Sequence, residues 1–150
     1  MDKIAIRKED YARLARILRK VYFLTNLTMG QLEQIIPRIF MVECKAGHKV
    51  IKQGDAGDAL FMVAEGRLSV HVKNGFFSLS RKVGELVPED FFGEMALLGR
   101  EPRTATVLCE EDSKVFVLQA ADFNFVLKSN PDFAHAMEEV ALERKLHNAQ

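Results

Sequence analysis

The 150-residue chain has no surplus charge of either sign, only two cysteines, and no long apolar run. Each absence removes a class of function. Its 21 basic side chains are balanced by 21 acidic ones, so nonspecific binding to a nucleic-acid backbone, which needs an excess of Lys and Arg, is not expected. No uncharged stretch approaches the roughly 18 residues of a membrane span. The opening MDKIAIRKED lacks the apolar stretch of a secretory signal. Cys44 and Cys109 are far apart in sequence and have no partner motif, which excludes a disulfide scaffold and a Cys-based zinc site. Two small buried thiols in a reducing cytoplasm are expected instead.

What is present reads as one domain, 1–150, with a β centre between helical flanks. In the N-terminal segment, 1–38, Tyr11, Leu14, Ala15, Leu18, Val21 and Tyr22 fall on one helical stripe. Arg13, Arg16, Arg19 and Lys20 occupy the other side, either as a solvated face or as a docking face for an acidic partner or membrane surface. Thr28 followed by Gln31 predicts a capping box for a second short helix, which Pro37 limits. From 39 to 119 the runs KVIKQ, ALFMVA, RLSVHV, FSLSRKV, TATVLC and KVFVLQ read as short strands. Glycine turns separate many of them, and Asn74-Gly75 predicts a hairpin. The class is α+β, mainly β: a sandwich, jelly roll or small barrel. Helix returns over 120–150, first from Ala121 to Lys128. After Pro131, a final helix carries Phe133, Met137, Val140, Ala141 and Arg144 on one side.

One segment breaks the strand rhythm. Asp90 to Val107 opens with an apolar pair, passes through Gly93-Glu94 into a brief helical run to Leu98, and returns through Gly99, Pro102 and Arg103 to a new strand. A helix start offers unpaired backbone N–H groups, and these favour an anion. Arg103 can add a bidentate contact to that anion. Glu94, an acceptor, suits a sugar hydroxyl. A sugar bearing one phosphate fits these groups. A structural ion pair between Glu94 and Arg103, with Gly93 and Gly99 as plain turn residues, fits them equally well.

FFGEMALLGREPRTATV resembles the phosphate-binding cassette of cyclic-nucleotide-binding domains, and KAGHKVIKQGDAGDALFMVAEGRLSV is similar to that family's early strands. The likeness runs from about Leu24 to Arg144. It implies a double-stranded β-helix of jelly-roll type with the cassette at 91–107, and a receptor rather than an enzyme. Residue by residue, it implies that Glu94 binds the ribose 2′-hydroxyl and that Gly93 and Ala96 present backbone N–H groups to the ribose-phosphate. Arg103 would clamp the cyclic phosphate and Thr104 would lie near phosphate and base. Phe92, Met95 and Ala105 belong to the same binding stretch. Arg144 would stack on the base from a closing lid helix. Thr104 is compatible with either base, but the cassette and the C-terminal ALER look most like bacterial channel-type modules. The expected ligand is therefore cAMP, with cGMP as the alternative and no cofactor. Pro88-Glu89-Asp90 stands where the family usually has Pro-Gly-Asp, which predicts an altered turn and an extra carboxylate near the phosphate.

Other classes lack their residues. A cupin-type metal enzyme needs clustered His ligands, and only His48 and His71 lie among the strands. His135 and His147 are roughly 18 Å apart on a helix and cannot share an ion. Together with Glu139 and Glu143 they read as a solvated face. No Gly-x-Ser-x-Gly elbow or Gly-rich nucleotide loop occurs, so catalysis is not expected. No helix-turn-helix follows the final helical pattern, so no DNA partner is expected. A protein partner or a second copy could use the helical segments. A degenerate fold kept only for protein contacts is the competing reading.

Overall fold

Alternation along the strands explains how one short chain builds two apolar layers. In the computed structural model, β4 (Ala59–Glu65) and β9 (Ser113–Gln119) lie side by side, and both are buried on their two faces. Leu60, Met62, Phe116 and Leu118 point into one cluster, whereas Ala59, Phe61, Val63, Val115 and Val117 point into another. A strand covered on both sides reads as a continuous apolar run, which is what ALFMVA and KVFVLQ are. The structure describes every residue except 22, 23, 25, 26, 76–78, 100, 101, 133, 136, 137, 140, 141 and 144–150, and the side chain of Leu98.

The remaining elements in chain order are β1 (Asp2–Ile4), α1 (Lys8–Lys20), α2 (Met29–Ile35) with a 3-10 turn at Ile36–Arg38, β2 (Phe40–Cys44), β3 (Lys49–Ile51), β5 (Leu68–Val72), β6 (Arg81–Leu86), β7 (Phe91–Phe92), α3 (Met95–Gly99), β8 (Thr106–Cys109) and α4 (Ala120–Lys128). They form a five-stranded sheet, β1-β2-β9-β4-β7, and a four-stranded sheet, β3-β8-β5-β6, whose described pairings are all antiparallel. The expected jelly-roll class is thus realised as two sheets. Their inner faces share the cluster of Val42, Phe61, Leu68, Val107 and Val117. The outer face of the five-stranded sheet is covered by α1, α2, α3 and α4 through Leu14, Ile17, Leu18, Ile35, Leu97, Phe123 and Val126.

Local signals hold where the chemistry is local. Thr28 Oγ1 accepts from the Gln31 N–H at 3.2 Å and Gln31 Oε1 accepts from the Thr28 N–H at 2.9 Å, which is the predicted capping box. The helix stops before Pro37, as its missing N–H requires. Asn74-Gly75 lies in the β5–β6 hairpin, but the second strand begins at Arg81, later than FSLSRKV predicts. The edge strand β1 was not foreseen, and its pairing with β2 supplies the partner that a three-residue run cannot announce. The apolar stripe expected on the final helix, at positions 133, 137, 140, 141 and 144, lies outside the described residues. The described positions 131, 132, 134, 135, 138, 139, 142 and 143 are helical, and His135 and Glu139 form a 3.3 Å pair on an exposed face.

Cys44 and Cys109, far apart in sequence, fall in the same inner cluster as free, buried thiols. Burial, then the neighbouring Cys109, pushes the Cys44 thiol up to about 12. No helix among the described residues is long and apolar enough to cross a membrane.

Candidate functional site

The short strand β7 pairs with β4 through Phe92 opposite Phe61, and the two rings stack at 5.1 Å between centroids. The chain then turns sharply at Gly93, whose φ is +78°. A Cβ built there would lie 2.6 Å from Arg103 Nη1 and 2.9 Å from the Ala59 carbonyl oxygen. Glycine is therefore required by two independent conditions, the left-handed backbone and the close approach. Helix α3 follows at once, with the Ala96 N–H donating to Gly93 O at 3.1 Å and the Leu97 N–H donating to Glu94 O at 3.1 Å.

Arg103 is placed from the opposite direction. Its backbone N–H donates to Asp55 O at 2.7 Å, and its carbonyl accepts from the Gly54 N–H at 2.8 Å. Ala56 and Pro102 form a bridge beside them. The glycine-rich turn from Gly54 to Asp58 thus fixes the backbone of Arg103, and the next residues fix its side chain. Nη2 donates to Ala59 O at 2.9 Å, Nη1 donates to Gly93 O at 3.3 Å, and the guanidinium lies 5.7 Å from the centre of the Phe61 ring. Asp58 Oδ1 lies 3.6 Å from Nη2. Only 6% of the Arg103 side chain is exposed, against 85% for Asp58. Burial lowers the guanidinium's pKa from its ordinary value, and Asp58, then Glu94, oppose that shift. The group remains a cation at physiological pH. Asp58 forms a 3.6 Å pair with Arg103 and acts on it more strongly than Glu94 does.

Between these two anchors lies a cavity of about 340 Å³. Phe92, Gly93, Glu94, Met95, Ala96, Arg103, Thr104 and Ala105 all line it, which is every expected binding residue except Arg144. Arg144 lies outside the described residues. Ile51, Val70 and Val107 form an apolar wall from the four-stranded sheet. A cavity with a buried cation, a carboxylate at a chain turn and an apolar wall suits an anion attached to a flat or cyclic organic group. A larger cleft, about 900 Å³, lies among Lys49, Lys52, Lys73 and Leu79; of the cassette it touches only Thr106, and none of the expected binding residues among those described lines it. The smaller cavity is the one that combines the nearly buried Arg103 with Glu94, and it is the candidate site. Among the described residues, no group of His, Cys, Asp and Glu could hold a metal ion.

Two features lay beyond the sequence reading. Asp58, Ala59 and Phe61 hold Arg103, although the sequence marks them only as turn and strand. Glu89 has φ +78° and was expected to bring its carboxylate near the phosphate. Instead Oε1 pairs with Arg16 Nε at 3.1 Å and Lys20 Nζ at 3.6 Å, and Glu89 does not line the cavity. The reason is the backbone: the left-handed turn directs the side chain toward the basic face of α1. That face is thus partly engaged within the chain, with Arg13 also donating to the Ala64 carbonyl.

The family profile described as the cyclic nucleotide-binding domain matches residues 41–130. A cyclic nucleotide-gated potassium channel of Mesorhizobium japonicum is 33% identical over 140 residues, covering 93% of this chain and 37% of the channel. A cGMP-dependent protein kinase of Toxoplasma gondii is 33% identical over 106 residues, covering 71% of this chain and 10% of the kinase. The chain therefore spans well under two thirds of the curated relatives it matches. Among solved structures, the regulatory domain of Toxoplasma gondii protein kinase A, crystallised with cAMP, aligns with a TM-score of 0.72 at 29% identity, covering 81% of this chain and 46% of that one.

Proposed function

The chain belongs to the cyclic nucleotide-binding domain family, and from that premise we propose that its cavity is a receptor site for a 3′,5′-cyclic nucleotide, cAMP in preference to cGMP, and that it performs no catalysis. The observation that carries the reading is Arg103: a nearly buried guanidinium at the cavity wall, facing the same space as Glu94. An anion that reaches it gains a charge-assisted bond in a poorly hydrated place, where such a bond is stronger than in water. Glu94 would accept from the ribose 2′-hydroxyl, and Thr104 would lie beside phosphate and base. Ile51, Val70 and Val107 would receive the apolar faces of the sugar and base.

Signalling would follow from the packing around the cassette. Leu97 shares one cluster with Phe123 and Val126, and α3 lies against α4. Ordering of residues 93–98 by the phosphate would move Leu97 against α4, and the final helix with Arg144 would then close over the base. Coupling of this kind requires tighter binding to the closed state than to the open one. The free, buried thiols fit a reducing cytoplasm, and the helical segments are where a protein partner or second copy would read the change.

Titration of the chain with cAMP, cGMP and 5′-AMP tests this. Saturable binding of a cyclic nucleotide is expected. Weaker binding of 5′-AMP is expected too, because Glu85 to Asp112 holds eight acidic residues and only two arginines, a poor setting for a second negative charge. A cyclic nucleotide at about 100 times Kd would add about 2.7 kcal/mol of stability. No saturable binding by either cyclic nucleotide would overturn the proposal.

A further inference from the structure

The turn that leads into the cassette is tied to the chain's first helix. Asp90 N–H donates to Val87 O at 2.9 Å, and Asp90 Oδ2 accepts from the Val87 N–H at 2.8 Å, so the turn is closed from both ends. It is also stitched to β4: Glu89 N–H donates to Val63 O at 2.9 Å, and Val63 N–H donates to Asp90 O at 2.8 Å. Glu89 occupies the centre of this turn with φ +78°, a conformation that glycine adopts freely and glutamate does not. Its carboxylate is held by Arg16 and Lys20, at 3.1 and 3.6 Å. Helix α1 is in turn fixed to the end of β4 through Arg7 and Glu65, at 3.3 Å, and through Arg13 and the Ala64 carbonyl. Downstream of the turn, only the two residues of β7 separate it from Gly93. The cassette is held by the β7–β4 pairing, by Arg103 and by packing of α3, and through so short a strand the hold on the turn also bears on its position.

We infer that Glu89 is a positioning residue for the ligand site: its pairing with Arg16 and Lys20 clasps the turn to α1 and so sets nucleotide affinity from outside the cavity. The inference rests on the ligand reading above. The hydrogen bond from Arg16 holds the Glu89 carboxyl below its ordinary range despite the opposing effect of burial, which fits an ionised clasp. Three features make the arrangement a clasp rather than a stray surface pair. One acceptor meets two cations, those cations lie one turn apart on a helix anchored elsewhere, and the residue occupies a backbone conformation its own chemistry disfavours.

The test uses the full chain and cAMP as the probe. Glu89→Gln and the pair Arg16→Gln with Lys20→Gln are each expected to weaken affinity about three- to fivefold, the scale of a small ion-pair network. Combining all three changes is expected to add little more. The charge-swapped chain, Glu89→Lys with Arg16→Glu and Lys20→Glu, is expected to recover most of the loss, which a merely structural turn defect would not. The gap between the unmodified chain and Glu89→Gln is expected to narrow in high salt. Affinity within experimental error of the unmodified chain in Glu89→Gln, or no recovery in the swap, overturns the inference while leaving the receptor reading intact. Hydrogen exchange at the Glu89 amide gives a ligand-independent arm: faster exchange in the Arg16→Gln, Lys20→Gln chain supports the clasp and unchanged exchange refutes it. Failure of the unmodified chain to bind any cyclic nucleotide overturns the receptor reading and the affinity role with it.

Discussion

Replacing Gly93 with alanine tests the site where backbone and side-chain chemistry meet. Two costs follow from the geometry. A non-glycine residue in the left-handed region costs roughly 1–2 kcal/mol, and Gly93 has φ +78°. The added methyl would lie 2.6 Å from Arg103 Nη1 and 2.9 Å from Ala59 O. Ala59 belongs to the central strand β4 and cannot retreat, so the guanidinium must move. Moving it breaks its bonds to Ala59 O and Gly93 O, a loss of about 1–3 kcal/mol for buried polar groups. Urea unfolding of Gly93→Ala is therefore expected to show a loss of about 2–5 kcal/mol. Gly47→Ala is the matched control, because Gly47 has φ +88° with nothing within 4 Å of its Cβ position. It carries the backbone cost alone. In ligand titration, Gly93→Ala is expected to lose at least about tenfold in cyclic-nucleotide affinity because Arg103 is displaced, while Gly47→Ala keeps the affinity of the unmodified chain. Equal stability losses in the two variants, with equal affinities, would refute the close-approach argument.

Further substitutions probe single groups. Arg103→Ala is expected to weaken nucleotide binding by at least about 2 kcal/mol, the loss of a charged hydrogen-bonding partner; near-normal affinity by calorimetry would move the phosphate site elsewhere. Thr104→Ala is expected to cost cGMP about 1 kcal/mol and spare cAMP; equal losses in paired titrations would remove the base contact. Thr28→Ala deletes the cap of α2 and is expected to cost about 1 kcal/mol in thermal or urea unfolding; an unchanged midpoint would contradict it. Burial raises the Asp10 carboxyl, but hydrogen bonds from the Arg7 backbone and side chain outweigh this and leave it below its ordinary 3.8. A depressed folded pKa gives stability that is present above that ordinary value and is lost as pH falls through the folded one. Asp10→Asn is thus expected to be less stable at neutral pH and to lose less on acidification below about pH 4, as read by unfolding midpoints across pH. Parallel profiles for the two chains would refute this.

Arg103, Gly93 and Glu94 were legible as candidates because side-chain type and local spacing offer a fixed cation, a free backbone and an acceptor beside a helix start; their ligand roles were implied by the family resemblance alone. Thr28 and Gln31 were legible for the same reason, since a capping box closes within four residues. The doubly buried strands were legible as strands, but which face each residue served was not, because Leu60 and Phe61 differ only in which layer lies across from them.

Sequence alone determined the β-rich class, the capping box of Thr28 and Gln31, and the stretch that resembles the cassette, all properties carried by short-range pattern. Its zero net charge gives no reason to expect a polyanion partner and leaves room for one phosphate. Tertiary structure decided the contacts made across long separations. It brought Asp58, Ala59 and Phe61 to Arg103, joined Cys44 to Cys109 in one inner layer, and turned Glu89 away from the cavity toward Arg16 and Lys20. The reason is common to all three. The pairing of strands and the laying of α1 across the sheet place residues by the burial of whole faces, and no single residue's type encodes which distant partner that burial will bring to it.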